Sequence, residues 1–565
     1  MRILQFDIDN ITYEPIRPEA SIYEEIKEKE KVSVDNALVI LVCVESWDDK
    51  GTAEKAMNDT WEFMGKLARK RLVIYPFAHL SRELAEPKVA MALLDHMYGM
   101  GREGIEAVKA PFGWNKKLEI SIKAHPLAEQ SRSYGPGEAK KAYTKAKPVS
   151  INTAIVRKSS WAGLPETDHR TIGEKLDLYS FQEVSPAMVY WHPNGMRVFR
   201  ELIGFMREKE DAYGYQEIGT PIVANTALWH VSGHMSHYKE NMFYFESDMG
   251  ELGLKPMNCP SSILIYKSRK WSYRELPFRT AIFDKLYRKE LSGVLTGLFR
   301  VMEMTQDDGH IFIKNDQLEE EIGNVLKMVK EVYTAFGMGF AAKLSTMPDN
   351  HMGDEKLWEE ATGALKNALE KNGITYGIKE KDGAFYGPKI DFDVIDSMGR
   401  NWQCATIQVD YQMPLRFGLT YTGEDGAEKT PVIIHRAILG SLERFIAILV
   451  EHYQGKFPTW LAPVQVEVIT ISEHLNEYAK EVYGELRKAG IRTELDIGDR
   501  TLDYKIRDAI SRKIPYSIVL GKKELESREI TVRSRSGKQK HNAKLDDFIS
   551  SLKDEVCRRS NVLMI

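Results

Sequence analysis

Four cysteines in 565 residues are too few and too scattered for a disulfide framework. Cys43, Cys259, Cys404 and Cys557 lie far apart, a usage that fits a reducing cytosol, so a cytoplasmic location is expected. Long apolar runs are missing as well. The longest near the N-terminus, "ALVILVCV" (37–44), is strand length and far short of a membrane span. "MRILQFDIDN" carries Asp7 and Asp9 where a signal peptide would be apolar, so neither export nor membrane association is expected. A strong charge of one sign is absent, the net value being −4, and nothing global marks a nucleic-acid binder. Both glycine signatures for phosphate, G-x-x-x-x-G-K-[ST] and a G-x-G-x-x-G after a strand, are lacking. A nucleotide user without them must clamp phosphate with side chains, and Arg288, Arg300 and Arg444 are candidates.

What is present reads as a soluble α/β chain, 43% hydrophobic and 28% charged, too long for one core. Residues 1–145 open with a strand at 2–8 and continue through "ALVILVCVES", "RLVIYPFAHLS" and "KLEISIKAHPLAEQSRS". "SYGPGEAKKAYTKAKP" (133–148) has no apolar periodicity and reads as a linker. Residues 146–460 alternate amphipathic helices with strands. "FPTWLAPVQVEV" marks a second joint, and 461–565 alternates strands and helices around a small mixed or parallel sheet. Between 500 and 540 twelve basic residues face five acidic ones, a local excess that suits an anionic partner such as RNA.

"RVMEMTQDDGHIF" (300–312) joins strand residues to a cluster of Gln306, Asp307, Asp308 and His310. On its own it favours a turn, since Asp-Gly is a common hairpin signal. Cys259, His310 and His435 would form a zinc site with one open position, but they are far apart in sequence. By spacing alone His230, His234 and His237 in "WHVSGHMSHY" make the better-looking cluster.

"FDKLYRKELSGVLTGLFRVMEMTQDDGHIF", "PVIIHRAILGSLERFIAIL" and "MRVFRELIGFMREKEDAYGYQEIGTPIV" resemble motifs 2, 3 and 1 of class II aminoacyl-tRNA synthetases. With "LKPMNCP", "YGPKIDF" and "WQCATIQVDY" added, residues 150–565 resemble the threonyl-tRNA synthetases. "YPFAHLS" and "APFGWNKKLEISIKAHPLAEQSR" make 1–145 similar to the editing domain of the archaeal type, a fold like D-aminoacyl-tRNA deacylases. The resemblance implies a multidomain α/β chain: an editing domain (1–145), a class II catalytic domain on an antiparallel sheet (146–460) and an anticodon-binding domain (461–565). It implies ATP-dependent activation of L-threonine, transfer to tRNA(Thr), and hydrolysis of mischarged Ser-tRNA(Thr). The partners implied are tRNA, ATP with Mg²⁺ and a second copy in a homodimer, with one Zn²⁺ per chain.

Carried onto this sequence, the resemblance makes Cys259, His310 and His435 the zinc ligands, not the "WHVSGHMSHY" histidines. Arg288, Arg300 and Arg444 become ATP clamps, and Glu290 the adenine-side acid. Gln306, Asp308, Tyr386, Lys389 and Gln403 surround threonine and its activated carboxylate, and His234, near the tRNA terminal ribose, is expected as a catalytic residue that assists removal of the 2′-OH proton during transfer. His79, Lys116 and Glu129 belong to the editing site, where Asn115 stands in place of the family's usual Tyr. Glu524 and Arg533 read anticodon bases. The chemistry is consistent: an apolar pocket separates threonine from isosteric valine only about a hundredfold. A cation that takes both amino group and hydroxyl rejects valine, but serine passes and calls for a second, hydrolytic site. Sister synthetases for proline or serine lack reason for the Cys259–His310–His435 set. A non-catalytic paralogue or a bare deacylase would be expected to have lost one of Arg288, Arg444 or these ligands.

Overall fold

The computed structural model describes residues 1–134 and 161–565, apart from 20, 21, 27, 28, 82, 124, 126, 162 and 291. It divides into two compact units, 1–150 and 151–565.

In the first unit the strand Arg2–Pro18 is the hub. Its first half pairs antiparallel with Leu38–Cys43 and Glu129–Ser133, its second half with Val32–Asp35 and Trp114–Ile122. A bulge between Ile8 and Asn10 separates the halves. Leu38–Cys43, Arg71–Pro76 and Glu106–Lys109 run parallel, and parallel neighbours need crossovers. The helices Lys50–Leu67 and Pro87–Gly99 supply them, burying Ala53, Met57, Met64, Leu94 and Met97 against the sheet. Ser133 pairs with Arg2 and Tyr134 is buried, so ordered chain runs two residues into the stretch read as a linker. The rest of that stretch, 135–148, lies outside the described residues, as does the expected boundary at 145.

The second unit is built on a nine-stranded, mainly antiparallel sheet. At its centre Glu303–Ile313 pairs with Phe278–Ile282 on one side and Val432–Ser441 on the other. Asn401–Asp410 and Lys389–Ile395 continue the sheet from there. The helices Pro193–Ala212, Leu318–Ala335 and Leu442–His452 share one core with it through Phe199, Leu202, Val325, Val329, Phe445 and Leu449. The turn that 300–312 suggests on its own does not form; as the motif context implies, the stretch is a strand of the site's floor, with Asp307 on its opposite face. Asp308-Gly309 lies mid-strand, and with a partner strand on both sides the backbone has no room to reverse.

Residues 465–555 carry a five-stranded sheet with its own core around Val468, Ile518 and Val532. Three parallel strands are followed by two antiparallel ones, as the alternation of strands and helices required. The sheet is tied back to the preceding residues by Arg492. This side chain donates to Glu201 (2.5 Å) and to the carbonyls of Trp460 (2.6 Å) and Ala462 (2.9 Å).

Candidate active site

A strand repeats every two residues, and Glu303–Ile313 shows what that does to a mixed cluster. Met304, Gln306, Asp308 and His310 line a cavity of about 530 Å³, whereas Asp307 and Ile311 are turned away from it and fully buried. One strand thus serves a polar site on one face and the core on the other.

His310 lies directly opposite His435 across the strand pair, their ring centroids 4.9 Å apart. Cys259 begins the helix Cys259–Lys267, and the segment before it is laid along the sheet by two bonds. Tyr287 N donates to Lys255 O (3.0 Å) and Arg288 Nε to Pro256 O (3.2 Å). Lys255 is itself buried and donates to Asp284 (2.6 Å). The result is that donor atoms of Cys259, His310 and His435 lie within 4.8 Å of one another, all three residues buried. Asp410 lies 2.9 Å from His435 Nε2, which leaves Nδ1 for the cluster. His310 Nδ1 is buried without a hydrogen-bond partner. Burial, with His435 and Arg436 nearby, pushes His310 well below its usual range and keeps it neutral. Burial, with Asp308 and Asp410, pushes the Cys259 thiol well up, so a cation is needed to ionise it. A thiol and two neutral imidazoles, one with an orphaned nitrogen, fit Zn²⁺ with a coordination position to spare.

A second cluster, Asp168–His169–Glu451, is different. His169 Nδ1 is 2.8 Å from Glu451, and its Nε2 accepts from Leu298 N (3.2 Å). Arg170 and Arg400 pair with the two carboxylates, so its charges are already answered. His230 is exposed and His234 fully buried, and among the described residues neither belongs to a candidate metal group.

The cavity gathers most of the residues expected around substrate: Arg288, Glu290, Arg300, Gln306, Asp308, Tyr386, Lys389, Gln403 and Arg444. Arg300 is paired with Glu290 at 2.8 Å. Arg444 is no surface charge of its helix: Nε donates to Phe299 O (2.9 Å) and Nη1 to Gln403 O (3.3 Å). Asn258 donates to Asp308 (3.1 Å), and Asp391 holds Lys389 at 2.8 Å. His234 does not line the cavity. Ser232 Oγ is 2.8 Å from its Nδ1, and the Sδ of Met257, which lines the cavity, lies 3.1 Å from its Nε2. Sequence reasoning missed Asp391 and Phe299. The Phe299 ring lies flat on Trp402, centroids 4.0 Å apart at 8°, and fronts the cavity as an apolar platform. An aromatic beside Arg300 was the available signal.

The expected editing residues are not drawn together in this way. Lys116 Nζ donates to Pro111 O (2.8 Å) and Trp114 O (2.9 Å) and sits 4.9 Å above the Tyr75 ring. Burial lowers its pKa to about 8 against the pull of Glu24 and Glu19. Lys116 stands opposite Pro15 and Glu129 opposite Phe6, on the two halves of the first strand, and His79 is exposed beside Phe77. Among the described residues no hydrogen bond or ion pair links the three.

In the last module Arg533 Nε is buried and unpartnered, while Glu524 accepts from Thr531 Oγ1 (2.7 Å) and Gly521 N (2.9 Å). The basic excess is smaller at the surface than in the sequence. Lys505 is buried on Thr470 O, and Arg512 pairs with Glu467, Glu494 and Asp508. Lys522, Lys523, Lys538 and Lys540 remain exposed.

Residues 1–134 match the model of the archaea-specific editing domain of threonyl-tRNA synthetase. Residues 243–453 match the class II tRNA synthetase core domain (G, H, P, S and T), and 465–555 the anticodon binding domain. The threonine–tRNA ligase of Thermotoga petrophila is 51% identical over 399 residues, 70% of this chain and 62% of that one. That of Clostridium tetani is 46% identical over 445 residues, covering 78% and 69%. The chain therefore spans about three fifths of the length of the first of these relatives. Among solved structures, the RNA binding domain of threonyl-tRNA synthetase from Cryptosporidium parvum Iowa II is 42% identical with a TM-score of 0.67, covering 69% of this chain and 98% of its own. The putative threonyl-tRNA synthetase ThrRS-1 of Aeropyrum pernix is 29% identical at a TM-score of 0.61, covering 71% and 98%. With editing, class II core and anticodon-binding segments in this order and a relative matched at 46% identity over two thirds of its length, the chain belongs to the threonyl-tRNA synthetase family.

Proposed function

We propose that the chain is a threonine–tRNA ligase that also hydrolyses mischarged Ser-tRNA(Thr), with editing in 1–145, catalysis in 146–460 and anticodon reading in 461–565. The observation that carries this reading is the single cavity in which Cys259, His310 and His435 stand beside Asp308, Gln306 and the arginines.

Bound by those three residues, Zn²⁺ would supply a Lewis-acidic position for the amino group and hydroxyl of threonine. Asp308, oriented by Asn258, accepts the hydroxyl's hydrogen bond, so valine leaves a buried carboxylate unanswered. Gln306 and Gln403 flank the substrate, and Lys389, steadied by Asp391, faces its carboxylate. A carboxylate oxygen attacks the α-phosphorus of ATP, the α–β bridging P–O bond breaks, and pyrophosphate leaves. Arg288 and Arg444, with Mg²⁺ on the ATP, spread the charge of that transition state. Phe299 offers its face, and Glu290 its carboxylate, to the adenine. A ribose hydroxyl of tRNA then attacks the acyl carbon and AMP leaves. Exposed Ile222, Val223, Tyr244, Phe245 and Met249, on and beside one three-stranded sheet, support a homodimer. No helix among the described residues is long and apolar enough to cross a membrane, and we read the location as cytoplasmic.

The test is threonine-dependent exchange of pyrophosphate into ATP. Stimulation by threonine well above that by valine is expected; equal stimulation, or none, would end this reading.

A further inference from the structure

Asp307 has no place in the chemistry above. It faces away from the cavity, is fully buried, and lies between two residues that line the site. Its surroundings are irregular. Along the pair Glu303–Ile313/Val432–Ser441, Asp308 faces Ala437 but Gln306 faces Ser441, so one residue of the first strand opposes three of the second. Pairing with Asn401–Asp410 on the far side also stops at Ala437. The amides of Ile438, Leu439 and Gly440 therefore have no strand partner, and three buried unpaired N–H groups would be costly.

The Asp307 carboxylate answers all three. Oδ2 accepts from Ile438 N (2.8 Å) and Leu439 N (2.9 Å), and Oδ1 accepts from Gly440 N (2.8 Å). Arg436, also fully buried, donates to the Asp307 carbonyl (3.1 Å) and to Glu210 (2.6 Å), fixing the backbone from which the carboxylate projects. Gly440 completes the bulge with φ +73°, where a Cβ would lie 2.8 Å from Cys404 O. Directly after it, Ser441 accepts from Arg444 N (3.3 Å) to start the helix that carries Arg444 into the cavity.

We propose that Asp307 is a positioning residue for the nucleotide side of the reaction: its carboxylate templates the 438–440 bulge and thereby sets where Ser441 and Arg444 meet ATP. The inference rests on the reading of Arg444 as a phosphate clamp. A dedicated acceptor is needed because three consecutive amides converge on one point, which no single backbone carbonyl can satisfy.

The full chain is assayed as wild type, Asp307→Asn, Gly440→Ala, Arg444→Ala and the double variant Asp307→Asn/Arg444→Ala. Pyrophosphate exchange gives separate KM values for ATP and threonine, and a fluorescent ATP analogue gives nucleotide affinity directly. Asp307→Asn replaces one acceptor oxygen by an NH₂ that opposes an N–H. It is expected to cut kcat/KM for ATP about a hundredfold, the scale of a misplacement of about 1 Å. KM for threonine should stay within about twofold, since loss of a shared positioning step need not touch the other substrate. The double variant should be no worse than Arg444→Ala alone, because both losses act through one group. Gly440→Ala strains the same bulge and should show the same split, so it carries the test if Asp307→Asn does not fold. Wild-type ATP kinetics in either folded variant, additive losses in the double variant, or an equal rise in KM for ATP and for threonine would overturn the proposal. A wild type that binds nucleotide but shows no threonine-dependent exchange would instead sink the ligase reading. In that case the nucleotide affinity of Asp307→Asn, weakened or unchanged, still decides the role of the carboxylate.

Discussion

A histidine whose Nε2 is held by a carboxylate offers a metal only Nδ1, and the orientation of His435 rests on Asp410. Asp410→Asn is expected to weaken zinc retention by about 10–100-fold, read as metal content after dialysis against a graded chelator. His435→Ala should lose the metal outright under the same conditions. Lys116 supplies a second test at this scale. Its pKa falls to about 8 from an unfolded value of 10.5 because burial penalises the ammonium. Folding bears that penalty in full below pH 8 and is relieved of it as pH rises toward 10.5, where the unfolded side chain also loses its proton. Wild type should therefore gain stability relative to Lys116→Met between pH 8 and 10, measured as urea midpoints of the unit containing 1–134. These residues also mark what a sequence can disclose singly. Cys259, His310 and His435 stood out through resemblance, because strand pairing brings the two histidines together from more than a hundred residues apart and a helix start brings Cys259 to them. The crowded histidines of "WHVSGHMSHY" were conspicuous for local spacing, yet among the described residues neither His230 nor His234 belongs to a candidate metal group.

At the scale of elements, the turn 386–388 ahead of the strand Lys389–Ile395 depends on the absence of a side chain. A Cβ on Gly387 would lie 1.9 Å from Val409 O, the backbone of the neighbouring strand. Gln408 Nε2 also donates to Gly387 O (3.2 Å), and Val409 N to Pro388 O (3.2 Å). Gly387→Ala must push the loop off the sheet, at a cost of about 1–3 kcal/mol by comparison with other overpacked sites. Since Tyr386 lies in this turn and Lys389 begins the strand that follows it, KM for threonine should rise along with a lower melting temperature. An unchanged KM would show that the loop does not set the site. Periodicity made most strands and helices readable here, from "ALVILVCV" to the amphipathic helices. It also served at 303–313, where the Asp308-Gly309 dipeptide taken alone suggests a turn that the two flanking strands overrule. It had no means of finding the 438–440 bulge, which exists only in the pairing.

For the whole molecule, the domain order was readable from composition breaks and motif order, whereas the attachment of the last module was not. Arg492 holds that module to the preceding residues through Glu201 and two carbonyls. Arg492→Ala leaves these acceptors unpaired, costing about 1–3 kcal/mol. On the proposed function, pyrophosphate exchange should persist in the variant while KM for tRNA in charging rises, because only the transfer step would need the anticodon module in register. The proposed placement of editing in 1–145 makes a matching expectation. Lys116→Met should accumulate Ser-tRNA(Thr) with threonine activation intact, followed as acylated tRNA in a mixed serine–threonine assay.

The two-residue rhythm of Glu303–Ile313 bears on how such a chain can change over generations. Point substitutions on this strand can be sampled one face at a time. A gain or loss of one residue would exchange the faces, sending Asp307 into the cavity and Asp308 into the core. A gain or loss of two would preserve the faces but slide His310 past His435. A change of length inside this strand can therefore keep both faces only where a bulge absorbs it, as its partner strand does at 438–440.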